Sequence, residues 1–167
     1  MLRLLRETPD DTYEVEMLFD LAFAPGRGAL SSYQLRDGIA PVADLCTVAR
    51  DDFDVVVAAI RYWPVQIGDA GTPALLLGPI AVHPTRQGEG LGALLIGQTL
   101  DAAADSGWSL VILVGDRPYY ARFGFESAAR RGIDFPPPVN LDRVLIRELS
   151  HDAMEGVTGM VLPWSKP

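Results

Sequence analysis

The chain has 167 residues, about half of them apolar, which suits one folded domain over residues 1–167 rather than disorder. A net charge of −8, from 14 basic and 22 acidic residues, speaks against a nucleic-acid partner, which calls for a basic stripe. No apolar run reaches the roughly 18 residues of a membrane span, and the start "MLRLLRETPDD" does not read as a signal peptide, so a cytoplasmic protein with no membrane partner is expected.

"LRLLRE" (2–7) reads as a first strand and 8–23 as a helix, with Thr8 placed to cap it and Pro9 at its first position. Val15, Leu18, Phe19 and Ala22 then recur at helical spacing until "PGRG" breaks the pattern. Residues 30–38 predict a short second helix; 45–50 and 54–63 predict strands joined by "DDFD". Residues 64–73 read as a loop or hairpin and 74–82 as a buried strand. A helix over 90–106 stops at Gly107, a buried strand covers 109–114, and a helical turn over 118–123 ends at Gly124. The three prolines of "DFPPPV" (134–139) make a stiff loop, and 143–149 reads as a late strand. This order predicts an α+β fold with a mixed, mostly antiparallel sheet and a central β-α-β crossover. Cys46, the only cysteine, excludes an internal disulfide and a cysteine metal cluster; without a histidine beside it, it reads as a packed residue, and no metal is expected.

The chemistry concentrates in "HPTRQGEGLGALLIGQTL" (83–100), where Gly88, Gly90 and Gly92 stand between a strand and a helix. Glycine is costly in either element, but at a helix N-terminus it lets an anion reach free backbone amides. The turn therefore reads as a phosphate cradle. A Walker A loop fails, since Ala93 and Leu94 stand where lysine and Ser/Thr belong. Gly88-x-Gly90-x-x-Ala93 meets a loose dinucleotide pattern, with Asp116 after the next strand as the ribose acid, so a nicotinamide-dependent oxidoreductase stays open as an alternative. Close helix–sheet packing is the remaining explanation of the glycines.

"VHPTRQGEGLGALLI" resembles the acetyl-coenzyme A motif of the GNAT superfamily of N-acetyltransferases, Q/R-x-x-G-x-G/A, matched by Gln87, Gly90 and Gly92. "DRPYYARFGF" is similar to that family's short helix ending in a tyrosine, followed by three intervening residues and then Gly-Phe, here Tyr120, Gly124 and Phe125. The resemblance implies a sheet whose strands splay after Gly78-Pro79, with acetyl-CoA as cosubstrate in the gap. It implies that the Ile80 backbone N–H polarises the thioester carbonyl, that Val82 pairs with the pantetheine arm, and that the pyrophosphate takes the amides of Gln87, Gly88, Gly90, Leu91, Gly92 and Ala93. By the same resemblance Arg86 would add a charged contact and Tyr120 would be the general acid, with neighbouring Tyr119 as its rival, while Glu89 is expected to turn outwards because its carboxylate would repel the pyrophosphate. Asp116 stands where many relatives carry an asparagine near the cofactor.

Residues 74–82 hold no ionisable side chain, so the glutamate base of some relatives is missing; His83, His151 and the acids of helix 8–23 are the candidates left. The implied reaction is direct attack by a primary amine, of a small molecule or a protein, on acetyl-CoA in a ternary complex. A non-catalytic acyl-CoA-binding or sensing module is the second alternative, and a homodimer is compatible with the family. The acceptor would be shaped by residues 24–40 and the "DFPPPV" segment.

Overall fold

The computed structural model describes residues 1–23 and 30–165, so the "PGRG" break lies outside the described residues. β1 (Arg3–Arg6), β2 (Thr47–Arg50), β3 (Val56–Ile67) and β4 (Thr72–Val82) are successive antiparallel neighbours. Between β1 and β2 come α1 (Thr12–Ala22) and the short α2 (Ser31–Gln34). β4 leads through α3 (Leu91–Asp105) into β5 (Leu110–Val114), parallel to β4, which is the expected crossover. α4 (Arg117–Tyr120), β6 (Glu126–Ser127), β7 (Ile133–Asp134), β8 (Val144–Glu148) and β9 (Gly159–Pro163) follow. The sheet order is β1-β2-β3-β4-β5-β8-β6, and β9 pairs with both β3 and β7. The fold is thus α+β with a mixed, mostly antiparallel sheet.

Alternation along β3 sends neighbouring side chains to opposite faces of the sheet. Ala59 meets Val15, Leu18 and Phe19 of α1, together with Val48 and Ala81. Ala58, Ile60 and Tyr62 meet Leu91, Leu95, Ile96 and Leu100 of α3, together with Leu75 and Leu77. Tyr62 also pins α3 to the sheet: its hydroxyl lies 2.8 Å from Thr99 Oγ1, which donates to the Leu95 carbonyl at 2.6 Å. Both side chains are buried, and this chain of bonds satisfies them.

Three expectations change on inspection of the fold. The 64–73 segment is a hairpin, its two strands extended so that only residues 68–71 form the turn. Pro64 sits inside β3 because pairing with β2 ends at Ile60 and pairing with β9 begins at Val65, so no ladder acceptor is wasted on its missing N–H. The first helix begins as a 3-10 turn over Pro9–Asp11, with Thr8 as its N-cap in a capping box whose Asp11 carboxylate accepts from the Thr8 backbone N–H at 2.7 Å and from its hydroxyl at 3.1 Å. Beyond the late strand, β6, β7 and β9 add pairing that the sequence did not announce.

Candidate active site

β4 and β5 pair at only two positions, Leu75 with Val111 and Leu76 with Ile112. The cause lies just beyond. Between the Ile60–Ile80 and Tyr62–Leu77 pairs β4 carries one residue more than β3, a bulge at Gly78-Pro79 where Gly78 takes φ +118°. β4 continues along β3 while β5 departs, leaving a gap between the two parallel strands. The His83 N–H donates to the Val57 carbonyl at 2.8 Å across the β3 ladder. Backbone groups alternate sides along an antiparallel strand, so the amides of Val82 and Ile80 point away from β3, into the gap.

The glycine turn closes one end of this gap. Gly88 and Gly90 have φ of +86° and +79°, the left-handed region that favours glycine, and Gly90 is the N-cap of α3. A side-chain carbon on either would meet no atom within 4 Å, so their backbone faces are open. Gly92 has a different cause: a side-chain carbon there would lie 3.4 Å from Tyr119 Oη and 3.7 Å from Val82 Cγ2. Packing thus accounts for part of Gly92 and for neither of the others. The first intrahelical bond runs from the Leu94 N–H to the Gly90 carbonyl at 3.0 Å, leaving the amides of Leu91, Gly92 and Ala93 without a helical acceptor at the positive end of the helix.

Every expected cofactor residue except Asp116 lines one cavity of about 570 Å³ at this turn: Ile80 and Val82 from β4, then residues 86–88 and 90–93. Arg86 reaches it already engaged, its Nε and Nη2 on Glu89 at 2.8 and 3.0 Å and its Nη1 on Asp51 at 3.4 Å. Glu89 is not part of the lining.

A second cavity of about 650 Å³ opens on the other side of the bulge, walled by Gly78, Pro79, Leu113, Gly115 and Asp116 among others. The two cavities share Ile80, Tyr119 and Tyr120. Asp116 therefore stands on the second side, away from the glycine turn. Burial, with a smaller contribution from Tyr119, pushes the Tyr120 phenol up to about 12, so it stays protonated through the neutral range. Its ring packs edge-on against Phe125, with centroids 5.9 Å apart, and lies across Gly115. A side-chain carbon on Gly115 would come within 2.5 Å of Tyr120 Cε2. Sequence reasoning missed this residue, whose one signal is its place at the end of the apolar run "SLVILVG".

The candidate bases are placed elsewhere. His83 lines neither cavity; its Nδ1 accepts from the Thr85 N–H at 3.2 Å. His151 is exposed beside Asp152. Of the α1 acids, Glu14 pairs with Arg50 and Glu16 with Arg61. Ser32, Tyr33 and Arg36 do line the second cavity, whereas "DFPPPV" only backs it, Pro138 accepting a hydrogen bond from the Ser31 hydroxyl at 3.1 Å. Among the described residues no three His, Cys, Asp or Glu cluster to hold a metal, and no helix is long and apolar enough to cross a membrane.

A bulged strand, a parallel neighbour that splays from it and a glycine turn feeding a helix N-terminus together define an N-acetyltransferase fold. The chain belongs to the GNAT family of N-acetyltransferases: a profile described as "Acetyltransferase (GNAT) domain" matches residues 43–127. The N-acetyltransferase YhbS of Escherichia coli (strain K12) is 31% identical over 93% of this chain and 92% of its own length. The crystal structure of E. coli YhbS in complex with CoA superposes with a TM-score of 0.82 at 27% identity, over 98% of this chain and 89% of that one. A GNAT family acetyltransferase from Brucella melitensis, in complex with acetyl-CoA, gives 0.72 at 27% identity, over 99% and 97%. The dinucleotide alternative falls with this, since that fold needs a run of parallel strands and β4 has antiparallel β3 on one side.

Proposed function

We propose that this chain transfers the acetyl group of acetyl-CoA to a primary amine, in the cytoplasm and as one domain, by direct attack within a ternary complex. The observation that carries this reading is the meeting of two cavities at Ile80 and Tyr120, which gives each substrate its own entrance and one common point. The open cradle at Gly88 and Gly90 fits a pyrophosphate, and the relatives crystallised with CoA and acetyl-CoA support that cosubstrate. The free amides of Leu91, Gly92 and Ala93 bind it, with those of Gln87, Gly88 and Gly90 alongside. Arg86 contributes only to the extent that Glu89 and Asp51 release it.

In the reaction the amine nitrogen forms a bond to the acetyl carbon and the carbon–sulfur bond breaks. The Ile80 N–H, aimed into the gap, stabilises the charge that develops on the thioester oxygen. Tyr120 donates its proton to the departing sulfur, and the proton lost by the amine leaves to water. Val82 pairs with the pantetheine arm.

Calorimetric titration with acetyl-CoA tests the reading, with NAD as control and a Gly90→Glu variant beside the wild type. Micromolar binding that disappears in the variant, with none for NAD, is the expected result. No heat with acetyl-CoA would overturn it.

A further inference from the structure

The second cavity holds a cation that no carboxylate among the described residues neutralises. Arg36 follows α2 and is only 8% exposed, yet its Nε and Nη1 are closed off from solvent without a hydrogen-bond partner. The guanidinium lies against the faces of Tyr33, 4.1 Å from the ring centre, and Trp63, at 5.2 Å. Aromatic faces stabilise a cation only partly and carry no counter-charge. Among the described residues no carboxylate pairs with it; after burial, the groups that act on it are the Tyr33 phenol, which favours its charge, and Arg61, which opposes it and is itself tied to Glu7 and Glu16. Burial lowers Arg36 to about 10, which still leaves it charged at neutral pH. A buried unpaired charge is expensive, and a fold retains one where a ligand completes it.

Its position says which part of a ligand. Arg36 Nη2 and the Ile80 amide both lie within 4.0 Å of the point where a Gly78 side-chain carbon would stand, so the guanidinium sits just across the bulge from the reaction point. Asp116 is the one carboxylate among the described lining residues, on the Tyr120 side, at the N-cap of α4. Arg143, the other cation of the lining, is held by the Gly115 carbonyl at 3.3 Å. Leu76, Leu77, Leu113 and Val114 make the walls between apolar.

On the acetyltransferase reading above, we infer that the acceptor is an amino acid-like amine with an apolar body, its carboxylate bound at Arg36 Nη2, the guanidinium nitrogen at the bulge, and its amine turned towards Tyr120 and Asp116. The chain as a whole carries a net charge of −8, yet the buried cation beside the acceptor cavity points to an anionic group on the acceptor. Arg36 is in this sense the specificity residue for the acceptor, and Asp116 the partner of its ammonium before the proton is lost.

The test offers wild-type protein L-leucine, L-phenylalanine and 6-aminohexanoate, each beside its methyl ester and the amine lacking the carboxyl group, at saturating acetyl-CoA. The free acids should be acetylated with kcat/KM at least about 30-fold above their esters, the effect of leaving a buried charge without its partner. In Arg36→Gln the preference should collapse through KM, with acetyl-CoA affinity unchanged, and Arg36→Lys should restore part of it. Esters or carboxyl-free amines used as well as the acids would overturn the inference even if Arg36→Gln fails to fold. So would an absence of both turnover and calorimetric binding for all three acids. Acetyl-CoA affinity, measured on the same samples, separates this outcome from failure of the acetyltransferase reading itself.

Discussion

Replacing Gly115 with alanine moves Tyr120 without touching its hydroxyl. The added methyl would lie 2.5 Å from Tyr120 Cε2 and 3.0 Å from Cδ2, with Leu113 Cδ1 at 3.1 Å on another side. Carbon atoms in ordinary contact stand about 3.5–4.0 Å apart, so the ring has to give way by about 1 Å. The Gly115 backbone is not in the left-handed region, and its N–H keeps its bond to the Arg143 carbonyl at 2.9 Å, so alanine is otherwise tolerated. A misplacement of about 1 Å at a reacting group costs on the order of 100-fold in rate. Steady-state turnover with a primary-amine acceptor should show a loss of that order in kcat, with acetyl-CoA affinity unchanged. The double variant Gly115→Ala/Tyr120→Phe should be no slower than Tyr120→Phe alone, because both changes disable one group. Unchanged kcat in Gly115→Ala, or losses that add in full, would refute Tyr120 as the acid in its observed position.

Two further outcomes follow from the ion pairs. Glu89→Gln frees Arg86 and removes a negative charge from the phosphate turn, so acetyl-CoA should bind about threefold more tightly in low salt, with the gain fading in high salt; calorimetry at two ionic strengths reads both. Burial raises the Asp11 carboxyl, but hydrogen bonds from Arg50 and Thr8 outweigh it and hold the group below its ordinary value of 3.8. A depressed folded-state pKa gives stability that is complete above the unfolded value and lost as the pH falls through the folded one. Thermal melts between pH 6 and 3 should therefore decline in the wild type and decline less steeply in Asp11→Asn, which starts from a lower melting temperature.

The parts legible in the sequence are those whose signal is local. α3 and β4 announce themselves by long apolar patterns, and the Gly88–Gly92 turn by residues that any other conformation would penalise. β6 and β7 have two residues each, too few for a period, and β9 has no alternation. They exist because β8, β3 and one another offer edges to pair with. Arg36 was invisible for a related reason. In "LSSYQLRDG" an arginine looks like a solvated one, and only the folding of Trp63 and Gly78 over it reveals a buried cation. Asp116 was read from its place in the chain, and chain order cannot say that its side chain falls on the second cavity's side of the bulge.

The break at Gly78-Pro79 also bears on how this sheet avoids sticking to others. Unpaired strand edges commonly sit at the margin of a sheet, where a foreign strand can dock along their whole length. The bare backbone at Ile80 and Val82 is instead in the sheet's interior, inside a wedge stapled shut at one end by Leu76 and Ile112. A polypeptide strand carries side chains on both faces and needs a neighbour spacing of about 4.8 Å, so it cannot be threaded into a slot that narrows to a closed seam. The fold thus places a hydrogen-bonding edge inside the sheet, away from the margin where foreign strands dock.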